Sequence, residues 1–214
     1  MPKTAPFENH PEVYDQWFVM NKQAFQSELK AVQKVLPAAG RGIEVGVGSG
    51  IFAQPLGIKE GIEPSLAMRG RARQRGIHAM DGVAEALPYQ DQSIDFVLMV
   101  TTLCFVDDVQ RSFEEIHRIL KNKGRFIIGF VDKNSPIGRE YLAHKNEDPF
   151  YQEAEFYSTE EVYEMLNLTG FIMRKTYQTL FGEIGKITKV QDVSEGYGQG
   201  SFVVINAEKP SHHL

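Results

Sequence analysis

The chain has 214 residues, of which 42% are hydrophobic and 24% are charged. This length supports one substantial core, and the composition excludes a disordered chain, which would be richer in charge and poorer in apolar residues. A formal net charge of −5 disfavours a nucleic-acid surface, because such surfaces depend on clustered Lys and Arg, so we expect a small-molecule partner.

Residues 1–40 are predicted to form a helical amino-terminal cap. Apolar residues between positions 11 and 36 recur at helix-like intervals of three and four. A short strand over 43–46 then runs into a glycine-rich turn, and a brief helix is predicted over 49–56. The turn is therefore expected at the carboxyl end of the first strand.

Strands and helices alternate from there to residue 131. Ser65 is the predicted N-cap of a helix over 66–75, and Gly124 is the predicted cap of the helix that contains Phe113. Further strands are predicted near 61–63, 77–81, 94–100 and 125–131. This alternation predicts an α/β fold: a doubly wound, Rossmann-like, mostly parallel seven-stranded sheet with an antiparallel C-terminal strand and helices on both faces.

The end of the chain departs from this alternation. We interpret the polar and aromatic stretch over 132–157 as an insertion that covers the carboxyl edge of the sheet. A capping box at Ser158 and Glu161 opens the next helix. Strand-like segments then follow at 171–180 and 201–207, with a mobile glycine-rich connection over 182–200. We predict a single domain over residues 1–214.

Cysteine usage and hydropathy bear on the compartment. Cys104 is the single cysteine, so an internal disulfide is excluded, and the amino terminus lacks the pattern of a signal peptide. No apolar run approaches the ~20 residues that span a bilayer. We expect a cytoplasmic protein without membrane insertion, and the oligomeric state is left open.

A basic run occupies the predicted helix over 66–75. Its four arginines alternate along the chain, which on a helix spreads the charges around the axis instead of forming one stripe. They are Arg69, Arg71, Arg73 and Arg75. We interpret this run as a solvated helix surface.

The glycine turn is the most informative segment. Gly46, Gly48 and Gly50 follow the first strand, where glycine tolerates positive φ and lets a ligand approach the backbone. A dinucleotide fingerprint would need a third glycine at the position of Ile51, so this Gly-x-Gly-x-Gly spacing disfavours a nicotinamide enzyme. Two acids accompany the turn, Glu44 before it and Glu63 at the end of the second strand.

These motifs resemble those of the class I S-adenosylmethionine (SAM)-dependent methyltransferases, most closely the small-molecule group related to ubiquinone and menaquinone biosynthesis methyltransferases. The resemblance covers roughly residues 42–171. It rests on five segments: 44–50, 63–65, 82–88, 91–96 and 117–124. It implies an enzyme that transfers the methyl group of SAM to an oxygen, nitrogen or carbon nucleophile of a small molecule.

The resemblance also implies roles for the turn and its acids. Gly46 and Gly48 would lie under the methionine and ribose parts of SAM, with Gly50 completing the turn. Glu44 would meet the ammonium group of SAM. Glu63 would accept hydrogen bonds from the ribose hydroxyls. The alternative is that Glu63 is only a solvated residue at the end of the strand.

The remaining predicted cofactor contacts are less regular. Pro64 follows the ribose acid, and Val83 and Ala84 would border the adenine, although the family usually has an aspartate at the position of Val83. Thr101 and Thr102 would lie in the loop that runs beside the methionine moiety of SAM. Aromatic faces suit a sulfonium, so two residues of the cap are predicted to close the pocket, with ordinary packing as the alternative. They are Tyr14 and Trp17.

The sequence predicts no catalytic residue as clearly as it predicts the cofactor residues. Alignment alone can lower the barrier of an in-line methyl transfer by ~7–11 kcal/mol, so a catalytic base is optional. His144 is the weak candidate for a base, with a surface role as the alternative. No metal site is expected, since the histidines are scattered and one cysteine cannot form a thiolate cluster. Acids in the insertion would suit a cationic amine acceptor. They are Glu140, Glu147, Asp148, Glu153 and Glu155.

Two other functions stay open at this stage. A SAM-binding sensor or partner subunit without turnover would be compatible with the departure at Val83. A nicotinamide oxidoreductase is disfavoured by Ile51 and by the antiparallel end predicted for the sheet.

Overall fold

The computed structural model describes residues 3–211, so the predicted domain limits at residues 1 and 214 lie outside the described residues. A mixed sheet forms the centre of this part of the chain. Its strands are β1 (Gly42–Val45), β2 (Glu60–Ile62), β3 (His78–Met80), β4 (Ile94–Val100), β5 (Leu120–Val131), β6 (Ile172–Thr179), β7 (Ser194–Glu195) and β8 (Phe202–Glu208).

The strand order is β3-β2-β1-β4-β5-β8-β6-β7. Strands β1 to β5 pair in parallel, whereas β8 runs antiparallel to both β5 and β6. The predicted mostly parallel sheet with an antiparallel carboxyl end is thus confirmed. The two-residue edge strand β7 is an addition to the seven predicted strands.

Helices lie on both faces of the sheet. They are α1 (Ala5–Asn9), α2 (Pro11–Met20), α3 (Lys22–Gln33), α4 (Ala53–Leu56), α5 (Leu66–Gln74), α6 (Val109–Ile119), α7 (Pro136–Ala143) and α8 (Thr159–Leu168). Two buried apolar clusters separate the layers: one joins the sheet to α6 and α8, and the other joins it to α2, α3, α4, α5 and α7. Along β4, Val97 and Met99 belong to the first cluster, and Phe96 and Leu98 to the second. This alternation explains why β4 reads as a continuous apolar run.

Predicted helix ends are partly confirmed. The Ser65 hydroxyl accepts from the Met68 N–H at 3.2 Å, and Ser158 and Glu161 form the predicted capping box. The prediction for Gly124 is wrong, because α6 ends at Ile119 and residues 121–124 belong to β5. The positive φ of this segment, +63°, falls at Lys123.

The interpretation of the arginine run as a solvated surface holds for Arg73, which is exposed, but is wrong for Arg69, and Arg71 and Arg75 are only partly exposed. Arg69 is 8% exposed and donates to the carbonyls of Glu63 and Pro64 at 2.7 and 2.8 Å. Arg71 and Arg75 both donate to Asp15 on α2, at 3.0 and 2.9 Å. Alternate spacing does spread the guanidinium groups around α5, but it thereby aims them at neighbouring elements that offer carbonyl and carboxylate oxygens.

The glycine-rich connection over 182–200 contains β7 and makes side-chain contacts with the amino-terminal cap. The Gln191 N–H donates to the Ser27 hydroxyl at 2.8 Å, and Lys30 pairs with Asp192 at 3.0 Å. In the described part of the chain, no helix combines the length and the apolar character needed to cross a membrane.

Candidate cofactor and acceptor site

The glycine turn stands at the carboxyl end of β1, as predicted. The N–H groups of Gly46 and Val47 donate to the Ile62 carbonyl at 2.8 and 3.0 Å, which fixes the turn against β2. The φ angles of Gly46 and Gly48 are +70° and +53°. A Cβ atom on Gly46 would collide with the Thr102 side chain. Glycine is therefore required at the first position by both space and backbone conformation.

Glu63 lies just after β2 and is bound by the backbone on both sides. Its carboxylate oxygens accept from the N–H groups of Gly48 and Ser65, at 2.9 and 2.8 Å. The side chain is buried, and burial raises the pKa of its carboxyl group to about 7, against the opposing effect of the two amides and Arg69. Glu63 thus links the glycine turn to the start of α5.

Glu44 lies on β1 behind the turn. It is 2% exposed, and its Oε2 atom has no hydrogen-bond partner among residues 3–211. Burial raises the pKa of this carboxyl group well above its ordinary value, and the Glu63 charge adds to this effect, while the Ala53 backbone amide opposes it. An unsatisfied buried carboxyl oxygen has unused capacity to accept a hydrogen bond from a cation.

A cleft of about 700 Å³ opens above the turn. Nine of the residues predicted from sequence line it: Tyr14, Gly46, Gly48, Glu63, Pro64, Val83, Ala84, Thr101 and Thr102. The structure does not bring Glu44, Gly50 or Trp17 to its surface: Glu44 lies behind the turn, and a Cβ on Gly50 would lie 3.3 Å from Ala72 on α5.

The end of the cleft near Val83 and Ala84 is mainly apolar. Asp81, the nearest acid before them, pairs with Arg69 at 2.5 Å. Glu85 accepts from the N–H groups of Asp107 and Asp108 at 2.9 and 3.1 Å, so it anchors the start of α6. Neither acid takes the place of the aspartate that Val83 replaces.

Thr101 and Thr102 form the floor where β4 ends. Thr101 has φ of +49°, an uncommon conformation for a residue with a branched side chain. Its N–H donates to the Gly129 carbonyl at 2.8 Å, and the Thr102 hydroxyl donates to the Gly46 carbonyl at 3.1 Å. A backbone held in an unfavourable conformation by its neighbours is often found at functional sites.

A second cavity, which we call the aromatic chamber, adjoins the cleft. It has a volume of about 1200 Å³ and shares four wall residues with the cleft: Phe7, Tyr14, Thr101 and Phe105. Its other walls include seven aromatic side chains of the amino-terminal helices and of the insertion. Tyr141 and Tyr151 of the insertion stack with ring centroids 4.9 Å apart. Trp17 lines this chamber.

Two carboxyl groups line the aromatic chamber, those of Glu28 and Asp148. Glu28 was not predicted from the sequence. It lies on α3 between Ala24 and Ala31, which are 1% and 0% exposed, so it interrupts the buried stripe of an amphipathic helix. A charged residue at a helix position that faces the core is the sequence signal that could have identified it.

The other charged candidates of the insertion lie outside both cavities. His144 is exposed at the end of α7, with its Nδ1 atom 3.0 Å from the Glu140 carbonyl oxygen. Of the five acids predicted to attract an amine, Asp148 lines the chamber, and the other four are exposed. Within residues 3–211, no cluster of three or more His, Cys, Asp or Glu side chains is arranged to hold a metal ion.

Comparisons with known proteins agree with this geometry. Residues 43–128 match a family model described as a methyltransferase domain. An uncharacterised protein of Methanocaldococcus jannaschii, MJ1123, is 43% identical over 95% of this chain and 98% of its own length. A demethylmenaquinone methyltransferase of Lactobacillus johnsonii is 36% identical over 32% of this chain and 28% of that protein.

A solved structure covers nearly the whole chain. It is a SAM-dependent methyltransferase of Thermotoga maritima, described as a possible histamine N-methyltransferase, with a TM-score of 0.92 and 48% identity. The match covers 95% of this chain and 97% of that protein. The chain therefore belongs to the class I SAM-dependent methyltransferases, and its cofactor is S-adenosylmethionine.

Proposed function

We propose that this protein transfers the methyl group of SAM to a nucleophile of a small molecule bound in the aromatic chamber. One observation carries the proposal: the cofactor cleft and the chamber share the wall formed by Tyr14, Thr101, Phe7 and Phe105. Ligands in the two cavities would meet at this wall. Methyl transfer requires such a meeting of methyl group and nucleophile.

In this proposal Glu63 binds the ribose of SAM, and Glu44 binds its amino-acid portion. Glu63 has about four lone-pair sites, of which two are used by backbone amides, so it keeps capacity for the ribose hydroxyls. Glu44 lies behind the turn, and its Oε2 atom, which has no hydrogen-bond partner among the described residues, would receive the ammonium group through a bridging water. Val83 and Ala84 would contact the adenine through apolar surface.

SAM supplies a methyl group on a positively charged sulfonium, and the chain supplies alignment and a site with little water. Alignment alone is worth ~7–11 kcal/mol of the barrier. Tyr14 lies at the shared wall, and its ring can face a positive charge. Burial and the carboxyl groups of Glu44 and Glu63 raise the pKa of the Tyr14 phenol, which therefore stays protonated at neutral pH.

The proposal assigns functions to the two segments outside the sheet. The amino-terminal cap, residues 1–40, and the insertion, residues 132–157, both contribute chamber walls. Asp15 ties the cap to the glycine turn through the Ser49 hydroxyl, which donates to it at 2.6 Å. We propose that the cap closes the cofactor cleft and that the insertion selects the acceptor.

The test begins with calorimetry. SAM and S-adenosylhomocysteine should bind, and NAD and NADP should not. Release of S-adenosylhomocysteine is then measured with a panel of amines, phenols and carbon acids. Histamine is included in this panel because the Thermotoga protein is a possible histamine N-methyltransferase. SAM binding without turnover on any acceptor would favour a SAM-binding sensor, and tight nicotinamide binding without SAM binding would overturn the proposal.

A further inference from the structure

A buried carboxyl group that lacks a full set of partners faces the aromatic chamber. Glu28 is 2% exposed, and its Oε2 atom accepts no hydrogen bond from any described residue, yet the side chain lines the chamber. Burying a polar group without a hydrogen-bond partner destabilises the folded state. Such a cost is explained most simply when the group binds something that enters the cavity.

The chamber wall offers Glu28 no positive charge. Its described lining residues include no Lys, Arg or His, and its other titratable side chains are Asp148, Cys104 and tyrosines. Asp148 already accepts from the Phe150 N–H at 2.8 Å. Burial alone raises the pKa of the Glu28 carboxyl group to about 8. The described residues of the chamber wall therefore do not stabilise the charged form of Glu28, and a cationic ligand could do so.

The rest of the chamber indicates what else that ligand contains. The Tyr141 and Tyr151 rings stack on each other, and Phe150 lies with its centroid 6.2 Å from that of Tyr14 at the shared wall. These rings offer apolar surface for a flat body and faces for a cation. Glu28 lines the chamber but not the cofactor cleft, so it is placed to bind the acceptor away from the departing methyl group.

We propose that Glu28 binds a protonated amino group of the acceptor, and that the acceptor is a small amine with a flat apolar body. This inference rests on the proposed function. A protonated amine has no lone pair with which to attack, so the amino group held by Glu28 is the anchor. The methylated atom is a second nucleophile of the same molecule, placed at the shared wall.

The test uses phenethylamine as the probe and 2-phenylethanol as its neutral counterpart, with protein saturated by S-adenosylhomocysteine. Calorimetry should show at least tenfold tighter binding of the amine than of the alcohol. Glu28→Gln should weaken amine binding at least tenfold and change alcohol binding less than twofold. Asp148→Asn, which alters the other carboxylate of the chamber, should keep the preference for the amine.

The pH dependence gives a second readout that does not rely on a variant. Since an amine of this kind stays protonated up to about pH 9, affinity for phenethylamine should rise between pH 6 and 8, as Glu28 loses its proton. Binding of 2-phenylethanol should not rise over this range, and Glu28→Gln should remove the rise for the amine.

The outcomes separate this inference from the proposed function. If wild-type protein does not bind S-adenosylhomocysteine, the proposed function fails first. If it does bind, equal affinity for amine and alcohol, an unchanged preference in Glu28→Gln, or no amine binding would each overturn the role of Glu28 alone. Binding of S-adenosylhomocysteine by Glu28→Gln shows that the variant is folded.

Discussion

The cofactor cleft and the aromatic chamber share a wall but differ in how they are built. The cleft is shaped by backbone: a turn with positive φ angles, and a carboxylate, Glu63, held by two N–H groups. The chamber is shaped by side chains from the amino-terminal helices, the segment after β4 and the insertion. Its buried acid, Glu28, has an oxygen without a partner.

The two cavities therefore owe their geometry to different parts of the chain. Backbone hydrogen bonds fix the cleft before any ligand arrives, which is the preorganisation that binding favours. The chamber is built from side chains instead, and the described residues of its wall place no cation beside the buried carboxyl group of Glu28. We therefore expect the cleft to be sensitive to changes of backbone conformation, and the chamber to be sensitive to changes of charge and pH.

The largest effect is expected from Gly48→Val. A β-branched residue opposes the φ of +53°, and its Cβ would point toward the Tyr14 hydroxyl and Met68, each 3.6 Å away. Affinity for S-adenosylhomocysteine should fall at least 100-fold, about 2.7 kcal/mol. Calorimetry measures it, with circular dichroism to establish that the variant is folded.

Gly57→Val is the matched control for this change. Gly57 has a similar φ of +75°, but beyond its chain neighbours no atom of the described residues lies within 4 Å of the position of its Cβ. It should lose stability and keep affinity. A folded Gly48→Val protein with unchanged affinity would remove Gly48 from the cofactor site.

A pH effect on stability should follow at Glu28. Its folded pKa of about 8 is above the ordinary value of 4.5, so the folded state keeps a proton that the unfolded state releases. The free energy of unfolding should therefore fall as pH rises from 4.5 to 8, by roughly 4 kcal/mol. Urea unfolding of wild type and Glu28→Gln without ligand measures this, and the variant should lack that part of the decrease.

Glu60→Gln should change the pH dependence of stability in the opposite direction. Arg41 lowers the pKa of the Glu60 carboxyl group, so its stabilising contribution is present above the ordinary pKa and is lost as pH falls. Identical pH profiles for wild type and Glu28→Gln would show that Glu28 titrates normally and that the chamber does not hold an unmatched charge.

Glu63→Ala should weaken SAM binding by about 1.5–3 kcal/mol, the scale of hydrogen bonds to a charged group. The structure adds a second consequence, because the same carboxylate accepts from Gly48 and Ser65. The melting temperature without ligand should therefore fall as well. Loss of stability with full affinity would make Glu63 a purely structural residue.

The sequence predicted the sheet well, and it placed the turn glycines and Glu63 at one edge of that sheet, because the determinants of these features are local. The turn glycines lie within five residues of one another, and Glu63 follows the next strand, so spacing alone places them at one edge. Apolar continuity likewise identified β4 with its bounds. The two-residue strand β7 has no such pattern, since its pairing with β6 is decided by tertiary contacts.

The chamber could not be predicted in the same way. Its walls come from positions between 7 and 157, and no short motif joins Phe7, Glu28 and Tyr151. The arginines of α5 show a related limit: their spacing describes the helix surface, but the partners of Arg69 and Arg75 lie on other elements. Sequence spacing also could not reveal that Thr101, a non-glycine residue, adopts a positive φ.

The smallest effect on SAM binding is expected from Tyr141→Ala. Tyr141 lines the chamber but not the cleft, and its contacts are the Tyr151 and Phe156 rings. Removing the ring should therefore leave affinity for SAM within about twofold, ~0.4 kcal/mol. The same change opens the acceptor wall, so turnover with any acceptor found should fall at least tenfold.

His144→Ala serves as the control from the same helix end. His144 lines neither cavity, so both binding and turnover should stay at wild-type values, although the sequence alone made it a candidate base. A fall in turnover with His144→Ala would mean that the insertion rearranges around the acceptor and brings this ring inward. Loss of SAM binding in folded Tyr141→Ala would mean that the insertion supports the cofactor cleft. The contrast between a backbone-built cleft and a side-chain-built chamber would then fail at their shared wall.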